Sequence, residues 1–319
     1  MISLIMRVRG VARSGARAAA MLLAAAPALA PVPTYYATPG PLVTRVVMLG
    51  TGTPNADPDR SGPAVAIVVG TEVYLVDAGA GIVRRAALAA RTDTMPALDA
   101  PHLQRVFLTH LHSDHTVGLP DLILTPWVLG RSKPLDVFGP PGTKRMIDLL
   151  EQAYSADVDI RLHGGEPSNK TGYAANAHDV SAGDVYRDSN VTVTAFEVSH
   201  GRWEHALGYV FQTRDRKIVL SGDTRPSEAV VRACNGCDLL VHEVYSAEKL
   251  EGRTADWRAY HAAYHTSTYE LGDLATRARP KLLVLYHQLY WGDTDDGLVR
   301  QVRSRYAGRV VSAHDLGVY

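Results

Sequence analysis

The stretch Thr109-His110-Leu111-His112-Ser113-Asp114-His115 decides how this chain is interpreted. It follows a short apolar segment and precedes a glycine, so we predict a loop at the end of a buried strand. In a locally extended segment, His110 and His112 project to the same side and can hold one ion. Asp114 and His115 fall where the chain turns, so their side chains can diverge toward a second ion. Such a pattern arises by chance about once in a thousand chains of this length. We interpret the stretch as a metal site.

One cluster cannot complete two metal sites, and the second half of the chain offers further ligands. Each candidate closely follows an apolar run that is predicted to be a strand. In layered α/β folds, ligands converge at strand ends. The candidates are His200, Asp223 and His287.

Strand-like and helix-like patterns are mixed along the chain, which predicts a layered α/β fold. Hairpin-like spacing in the first half favours mixed sheets over purely parallel ones. Two polar segments, Asp157–Gly183 and Tyr245–Tyr264, are interpreted as long surface excursions. The predicted strands are Arg45–Leu49, Ala64–Val69, Val73–Val76, Arg105–Thr109, Leu135–Phe138, Val191–Val198, Leu207–Gln212, Lys217–Ser221, Leu239–Val241 and Leu282–Tyr286. The predicted helices are Thr143–Tyr154, Thr268–Ala278 and Asp295–Tyr306.

The N-terminus resembles a secretory signal peptide. Arginines precede the apolar stretch Ala18–Ala30, which ends in a small-residue cleavage pattern and is too short for a membrane span. An uncleaved anchor and a misassigned start are the alternatives. We expect a signal peptide over 1–30, a Pro-rich lead-in over 31–43 and one domain over 44–319. The mature protein would then be periplasmic or secreted, with no membrane span.

Cys234 and Cys237 are the two cysteines of the chain, spaced C-x-x-C. In an exported protein they could form a small disulfide or stay reduced. An all-cysteine zinc site would need two more cysteines, so we expect a packed position in the core.

Beyond these patterns, the chain resembles metallo-β-lactamase-fold hydrolases, and among them the branch that contains ribonuclease Z and the zinc-dependent arylsulfatases. The resemblance covers nearly everything after Val43, in the family's order. It implies a four-layer αβ/βα sandwich in which two mixed sheets are covered by helices. The motifs that carry it are Leu49–Pro54, Val76–Gly79, Thr109–His115, His200, Gly222–Thr224, His242-Glu243, His265–Thr268 and His287.

The resemblance implies two Zn²⁺ ions, with Mn²⁺ or Fe as alternatives. Close cations repel unless an anionic group lies between them, which suits a bridging carboxylate. A metal-bound hydroxide would then be the nucleophile. The implied ligands are His110, His112 and His200 for the first ion, Asp114, His115 and His287 for the second, and Asp223 as the bridge.

Three residues are catalytic candidates on the same resemblance: His265, Glu243 and Asp114. His265 is expected to donate a proton near the leaving group, with Glu243 orienting it, and Asp114 is also counted as a ligand. The alternative is that His265 belongs to a helix cap and Glu243 supports a ligand. We expect structural roles for the other histidines, which are His102, His163, His178, His205, His242, His261 and His314.

The expected function is hydrolysis of a small sulfate or phosphate ester, arylsulfatase-like or phosphodiesterase-like. Tyr245–Tyr264 is rich in aromatic residues and would suit an aryl leaving group. Lys plus Arg and Asp plus Glu each number 33, which gives no footprint for a polyanion. Members of the branch that process tRNA grip it with a basic arm, whereas Asp157–Gly183 contains only Arg161 and Lys170 as basic residues. These features argue for a small-molecule ester substrate and against a nucleic-acid partner.

Three alternatives remain open at this point. They are a ribonuclease Z-type tRNA 3′ endonuclease, a lactonase or other ester hydrolase, and a noncatalytic zinc-binding module that keeps the fold. A homodimer is also compatible with the sequence.

Overall fold

The structure is a computed structural model that describes residues 43–92 and 95–319. The expected signal peptide and nearly all of the Pro-rich lead-in lie outside the described residues. The strands are β1 Thr44–Gly50, β2 Ala64–Val69, β3 Glu72–Val76, β4 Arg105–Phe107, β5 Leu135–Gly139, β6 Ala175–Asp179, β7 Gly183–Arg187, β8 Val191–His200, β9 Trp203–Thr213, β10 Lys217–Leu220, β11 Leu239–Tyr245, β12 Leu282–Leu289 and β13 Val310–Ser312. The α-helices are α1 Ile82–Thr92, α2 Ser113–Thr116, α3 Leu119–Val128, α4 Thr143–Ala153, α5 Ser155–His163, α6 Glu228–Cys234, α7 Ala247–Leu250, α8 Ala255–Tyr264, α9 Thr268–Ala278 and α10 Asp295–Arg303. Two short 3₁₀ turns cover Pro96–Leu98 and Ala100–His102.

The strands form two mixed sheets, as the sequence predicts. The first has the order β1-β2-β3-β4-β5-β6, antiparallel as far as β3 and parallel from there on. The second has the order β13-β12-β11-β10-β9-β8-β7, parallel from β10 to β13 and antiparallel from β7 to β10. Strands that are covered on both faces need nearly continuous apolar runs, and the sequence predicted such strands but not β6, β7 and β13.

The two sheets face each other across a shared apolar core. Phe107 of the first sheet stacks on Phe138 at 5.0 Å and meets Tyr209 and Phe211 of the second sheet edge-on at 5.8 and 5.4 Å. A second cluster packs α1, α3 and α4 on the outer face of the first sheet. A third packs α6, α9 and α10 on the outer face of the second sheet. The four-layer αβ/βα sandwich is therefore confirmed.

The segment Asp157–Gly183 differs from the expected long loop. Its first residues belong to α5, and Ala175–Asp179 adds β6 in parallel to the edge of the first sheet, with Ala175 opposite Leu135. An edge strand with the sequence ANAHD buries little apolar surface, so it lacks the alternation that makes a strand visible in a sequence. Tyr245–Tyr264 likewise contains two helices, α7 and α8.

Arg131 is buried and connects several segments of the first half through hydrogen bonds. Its guanidinium donates hydrogen bonds of 2.6 to 3.0 Å to four backbone carbonyls, and burial lowers its pKa to about 10. Pro126 has no N–H and leaves the Leu122 carbonyl of α3 without its usual intrahelical partner, so Arg131 supplies a donor there. The four carbonyls are those of Leu103, Leu122, Ile123 and Gly172.

Cys234 and Cys237 are joined by a disulfide and both are buried between α6 and β11. They pack in the core of the second half, as expected, and lie in the cluster that underlies α6 and α9. Within the described ranges, no helix combines the length and the apolar character that crossing a membrane requires.

Candidate metal centre

The candidate ligands meet at one end of the sandwich because they follow strands of both sheets. His110, His112, Asp114 and His115 lie between the end of β4 and the short helix α2. His200 is the last residue of β8, Asp223 follows β10, and His287 lies near the end of β12. The structure thus brings together all seven side chains that the sequence proposed as ligands.

Three histidines form the first group. His112 Nδ1 lies 2.9 Å from His110 Nε2 and 3.1 Å from His200 Nε2. His110 and His200 are fully buried, and burial lowers the pKa of both, that of His200 to about 4. A low pKa favours the neutral imidazole, which is the form that binds a metal.

The second group contains Asp114, His115 and His287. Asp114 Oδ2 lies 3.2 Å from His287 Nε2 and 3.5 Å from His115 Nε2. Burial acts to lower the pKa of His115, but the carboxylates of Asp223 and Asp77 outweigh it and raise that pKa well above its usual value.

Asp223 lies between the two groups. Its Oδ2 is 3.5 Å from His115 Nε2, 3.6 Å from His287 Nε2 and 4.0 Å from His110 Nε2. Burial acts to raise the pKa of Asp223, but His287 and His115 outweigh it and hold the pKa well below its usual range. A buried carboxylate at this position suits a bridge between two cations.

The donor set fits divalent metal ions. Imidazole nitrogens and carboxylate oxygens are the ligands of zinc hydrolase sites. Among the described residues, the buried atoms His115 Nε2 and Asp223 Oδ1 find no hydrogen-bond partner, and both residues belong to this cluster. Leaving such atoms unpaired costs about 1–3 kcal/mol each, and metal coordination would satisfy them.

Asp77 orients one of the candidate ligands, a role that the sequence did not assign. Its Oδ2 accepts a 2.8 Å hydrogen bond from His115 Nδ1, and its Oδ1 accepts one of 2.8 Å from the Thr109 amide. The proton on Nδ1 leaves Nε2 of His115 free to bind an ion. Asp77 has a left-handed backbone (φ 60°), as strained residues at functional sites often do. Asp77 directly follows β3 and lies within the Val76–Gly79 motif, and this position was the sequence feature that could have indicated its role.

His112 has an unexpected neighbour in Trp203. The indole Nε1–H donates to His112 Nε2 over 2.6 Å. An indole can only donate, so this contact places the proton of a neutral His112 on Nδ1, the nitrogen that faces His110 and His200. An ion bound through Nδ1 requires the other tautomer, which cannot accept from the indole.

His265 and Glu243 lie side by side at the same site. His265 Nδ1 is 3.3 Å from Glu243 Oε2 and 4.0 Å from Asp223 Oδ2, although the angles do not make a hydrogen bond. Glu243 Oε1 accepts a 2.8 Å hydrogen bond from the Thr266 amide, which fixes the carboxyl group. Burial raises the pKa of Glu243 well above its usual value, and the charge of Asp223 raises it further.

A pocket of about 390 Å³ opens directly onto these residues. Asp114, Asp223, His265 and His287 line it on one side. The lining also contains aromatic side chains and one guanidinium group, so the pocket combines charged groups with flat rings. These residues are Arg253, Trp257, Tyr260, His261 and Trp291.

The other histidines have varied surroundings. His261, for which a structural role was expected, is buried and borders the pocket. Its position four residues before His265 was a signal that both lie near one face. His242 is buried beside Glu243 and away from the pocket lining, and burial lowers its pKa to about 4. The exposed histidines are His102, His163, His178, His205 and His314.

Comparison with known proteins agrees with this geometry. Residues 73–288 match the Beta-lactamase superfamily domain. The chain belongs to the metallo-β-lactamase superfamily. Its relatives support the ribonuclease Z branch: ribonuclease Z of Mycobacterium bovis (strain BCG / Pasteur 1173P2) is 30% identical over 279 residues, covering 85% of this chain and 96% of that protein. This superfamily member is therefore a metal-dependent hydrolase that acts on ester bonds.

Solved structures share the fold of this superfamily member. The metallo-β-lactamase fold protein YhfI from Bacillus subtilis has a TM-score of 0.66 at 18% identity, over 86% of this chain and 98% of that one. The short form of human tRNase Z has a TM-score of 0.64 at 23% identity, over the same shares.

The relatives correct one expectation from the sequence. The argument against a nucleic-acid partner is wrong, because the similar proteins are named for ribonuclease activity. A balanced count of charged side chains describes the whole surface and omits metal ions, which are the largest positive charges in such a site. The neutral chain therefore carried no information about a phosphodiester substrate.

Proposed function

We propose that this superfamily member hydrolyses phosphodiester bonds in RNA, with tRNA precursors as the first candidate substrate. The observation that carries the proposal is the convergence of seven candidate ligands with His265 and Glu243 at one pocket. The similarity to ribonuclease Z over most of both chains supports RNA as the substrate class.

Two Zn²⁺ ions are part of the proposal. His110, His112 and His200 would hold the first ion. The second ion would be held by Asp114, His115 and His287, and Asp223 would bridge the two ions. When bound, such a metal pair supplies a polarising charge for the phosphate oxygens and lowers the pKa of water. The unpaired atoms of His115 and Asp223 support this assignment.

The remaining chemistry falls to His265 and Glu243. His265 lines the pocket with Nδ1 on the side of Glu243, so its ring is positioned to protonate the leaving oxygen of a bound ester. Glu243 is anchored by the Thr266 amide with Oε2 3.3 Å from Nδ1, where it would orient the ring. Asp114 acts at the same pocket as a ligand of the second ion.

The test uses the purified, zinc-loaded chain and a tRNA precursor with a 3′ extension. We expect cleavage that stops on chelation and returns with added Zn²⁺. Asp223→Ala is the inactive control, since it removes the carboxylate between the two groups. A fully metal-loaded protein that leaves RNA intact would refute the proposal.

A second candidate function is hydrolysis of a small sulfate or phosphate ester with an aryl leaving group. The aromatic wall formed by Trp257, Tyr260 and Trp291 favours it, because flat rings pack well against aryl groups. Turnover of 4-nitrophenyl sulfate and bis(4-nitrophenyl) phosphate by the same preparation measures this activity. If aryl esters react and RNA does not, this candidate replaces the first.

With the second candidate function we also propose export to the periplasm or the medium, with removal of residues 1–30 and a hydrolase domain over 44–319, since tRNA precursors are cytoplasmic substrates. The basic and apolar pattern of the N-terminus supports it. The Cys234–Cys237 disulfide adds support, since disulfides persist in oxidising compartments. Cell fractionation with N-terminal sequencing tests the proposal, and an intact N-terminus in the cytoplasm would contradict it.

A further inference from the structure

Arg253 stands out as a cation without an anionic partner at the rim of the metal pocket. It lies between α7 and α8, lines the pocket, and forms no ion pair with any described residue. Its Nε is buried without a hydrogen-bond partner. Two arginines elsewhere are paired, Arg60 with Asp295 and Arg85 with Asp315. A guanidinium beside an anion-binding centre, with donors to spare, suits a phosphate group.

Trp291 forms the surface beneath this guanidinium. The Arg253 Cζ atom lies 5.4 Å from the centre of the Trp291 ring, a cation–π distance. Trp291 also has a left-handed backbone (φ 47°), which costs an aromatic residue free energy. His287, four residues earlier, has the same φ of 47°. Strain of this kind persists where the surroundings fix a functional position.

Trp257 completes an aromatic wall on α8. It is 49% exposed and stacks on His261 at 5.6 Å, with 22° between the rings. An exposed indole that faces a substrate pocket has a free π-face, and nucleic-acid bases stack on such faces with little regard to sequence.

We propose that Arg253, Trp257 and Trp291 form a subsite for the nucleotide next to the scissile bond. Arg253 binds a phosphate that does not react, Trp291 supports the guanidinium from below, and the exposed Trp257 holds the adjoining base. This inference rests on the proposed function, because it assumes an RNA strand in the pocket. The segments around α7, α8 and the end of β12 would then select polynucleotides over esters with a single phosphate.

The first test compares substrates that have or lack a second phosphate. Arg253→Gln is measured against Arg214→Gln, which removes the same charge beyond the far end of β9, roughly 35 Å from Trp203 along the strand. For an oligoribonucleotide we expect Arg253→Gln to lower kcat/KM by about 10- to 100-fold, mostly through KM. For bis(4-nitrophenyl) phosphate we expect a change below about threefold, and Arg214→Gln should change neither.

The second test measures binding without turnover. The zinc-loaded protein is titrated with a fluorescent phosphorothioate oligoribonucleotide, which is cleaved slowly, at several salt concentrations. Arg253→Gln, which loses one phosphate contact, should reduce the slope of log binding constant against log salt concentration by about 0.7. Trp257→Leu should weaken binding by about 5-fold or more, whereas Trp257→Phe keeps a stacking surface. Trp257 is chosen for this comparison because it is exposed, so neither replacement removes a buried side chain.

The outcomes separate the subsite from the proposed function. Cleavage of RNA with equal behaviour of Arg253→Gln and Arg214→Gln would overturn the subsite and leave the function standing. Arg253-dependent binding without cleavage would overturn the function and support the subsite. Equal losses on RNA and on bis(4-nitrophenyl) phosphate would show that Arg253 only shapes the pocket, and would overturn the subsite.

Discussion

Replacing Asp77 by Asn tests whether Asp77 orients His115 for metal binding, with metal affinity and folding stability measured separately. Both carboxylate oxygens are in use: Oδ1 accepts from the Thr109 amide, and Oδ2 accepts from His115 Nδ1. An amide has only one oxygen. If that oxygen stays with the Thr109 amide, the NH₂ group faces His115, which must then present a lone pair on Nδ1 and carry its proton on Nε2. Nε2 is the nitrogen that faces Asp114 and Asp223, so the ring loses its ligand form.

The size of the effect follows from the contacts that are lost. Removing the partner that orients a histidine ligand typically costs 10- to 100-fold in metal affinity, or about 1.4–2.7 kcal/mol. The Asp77 side chain is 1% exposed, so loss of its charge-assisted hydrogen bond also costs about 1.5–3 kcal/mol of stability without metal. The two losses are separate and must be measured separately.

Competition with a chromophoric chelator gives the affinity for each ion, and urea unfolding in chelator gives the stability. Asp188→Asn is the matched control, because Asp188 accepts from Tyr74 and Tyr186 at 2.7 and 2.9 Å near the start of β8, far from His200 at its end. The control should lose stability while both ions bind as before. If the Asp77→Asn variant binds two ions with wild-type affinity, the role given to Asp77 is refuted.

Four further changes test other parts of the site and fold. His287→Ala should bind one ion per chain instead of two by elemental analysis, and retention of two would remove His287 from the ligand set. His265→Ala should lower kcat far more for an ester with a poor leaving group than for a 4-nitrophenyl ester, by about 100-fold against less than 10-fold; equal effects would contradict proton donation. Trp203→Phe should bind Zn²⁺ up to about tenfold more tightly in a chelator titration, since the competing indole hydrogen bond is gone; weaker binding would show that the contact supports the site. Arg131→Met should lower the free energy of unfolding by about 3–4 kcal/mol in urea, because four carbonyls lose their donor, and a loss below 1 kcal/mol would contradict this account.

The sequence predicted what local pattern can specify. The strand Ala64–Val69 is a continuous apolar run because both of its faces are covered, and its limits were predicted to the residue. The Thr109–His115 stretch places its ligand types within one loop, so spacing alone indicated a metal site. The same logic missed β6, since an edge strand needs no apolar face.

Contacts between residues far apart in sequence could not be predicted in the same way. Asp77 reaches His115 across 38 positions, and Trp203 reaches His112 across 91. No periodicity connects such pairs, because each depends on how the two sheets dock. The sequence also could not predict that Arg253 lacks an ion pair among the described residues, because ion pairs with carboxylates form only on the folded surface.

The candidate ligands are shared between the two sheets, four beside β4 of the first and three from β8, β10 and β12 of the second. An ion held by both sets is a cross-link that exists only after the two halves of the sandwich have docked. Its binding free energy is then also docking free energy, about 2.7 kcal/mol when free metal is 100 times its Kd. The abundance of folded protein would thus depend on the metal supply of the compartment in which the chain folds. Starvation for metal would reduce not only turnover but also the number of chains that survive proteolysis.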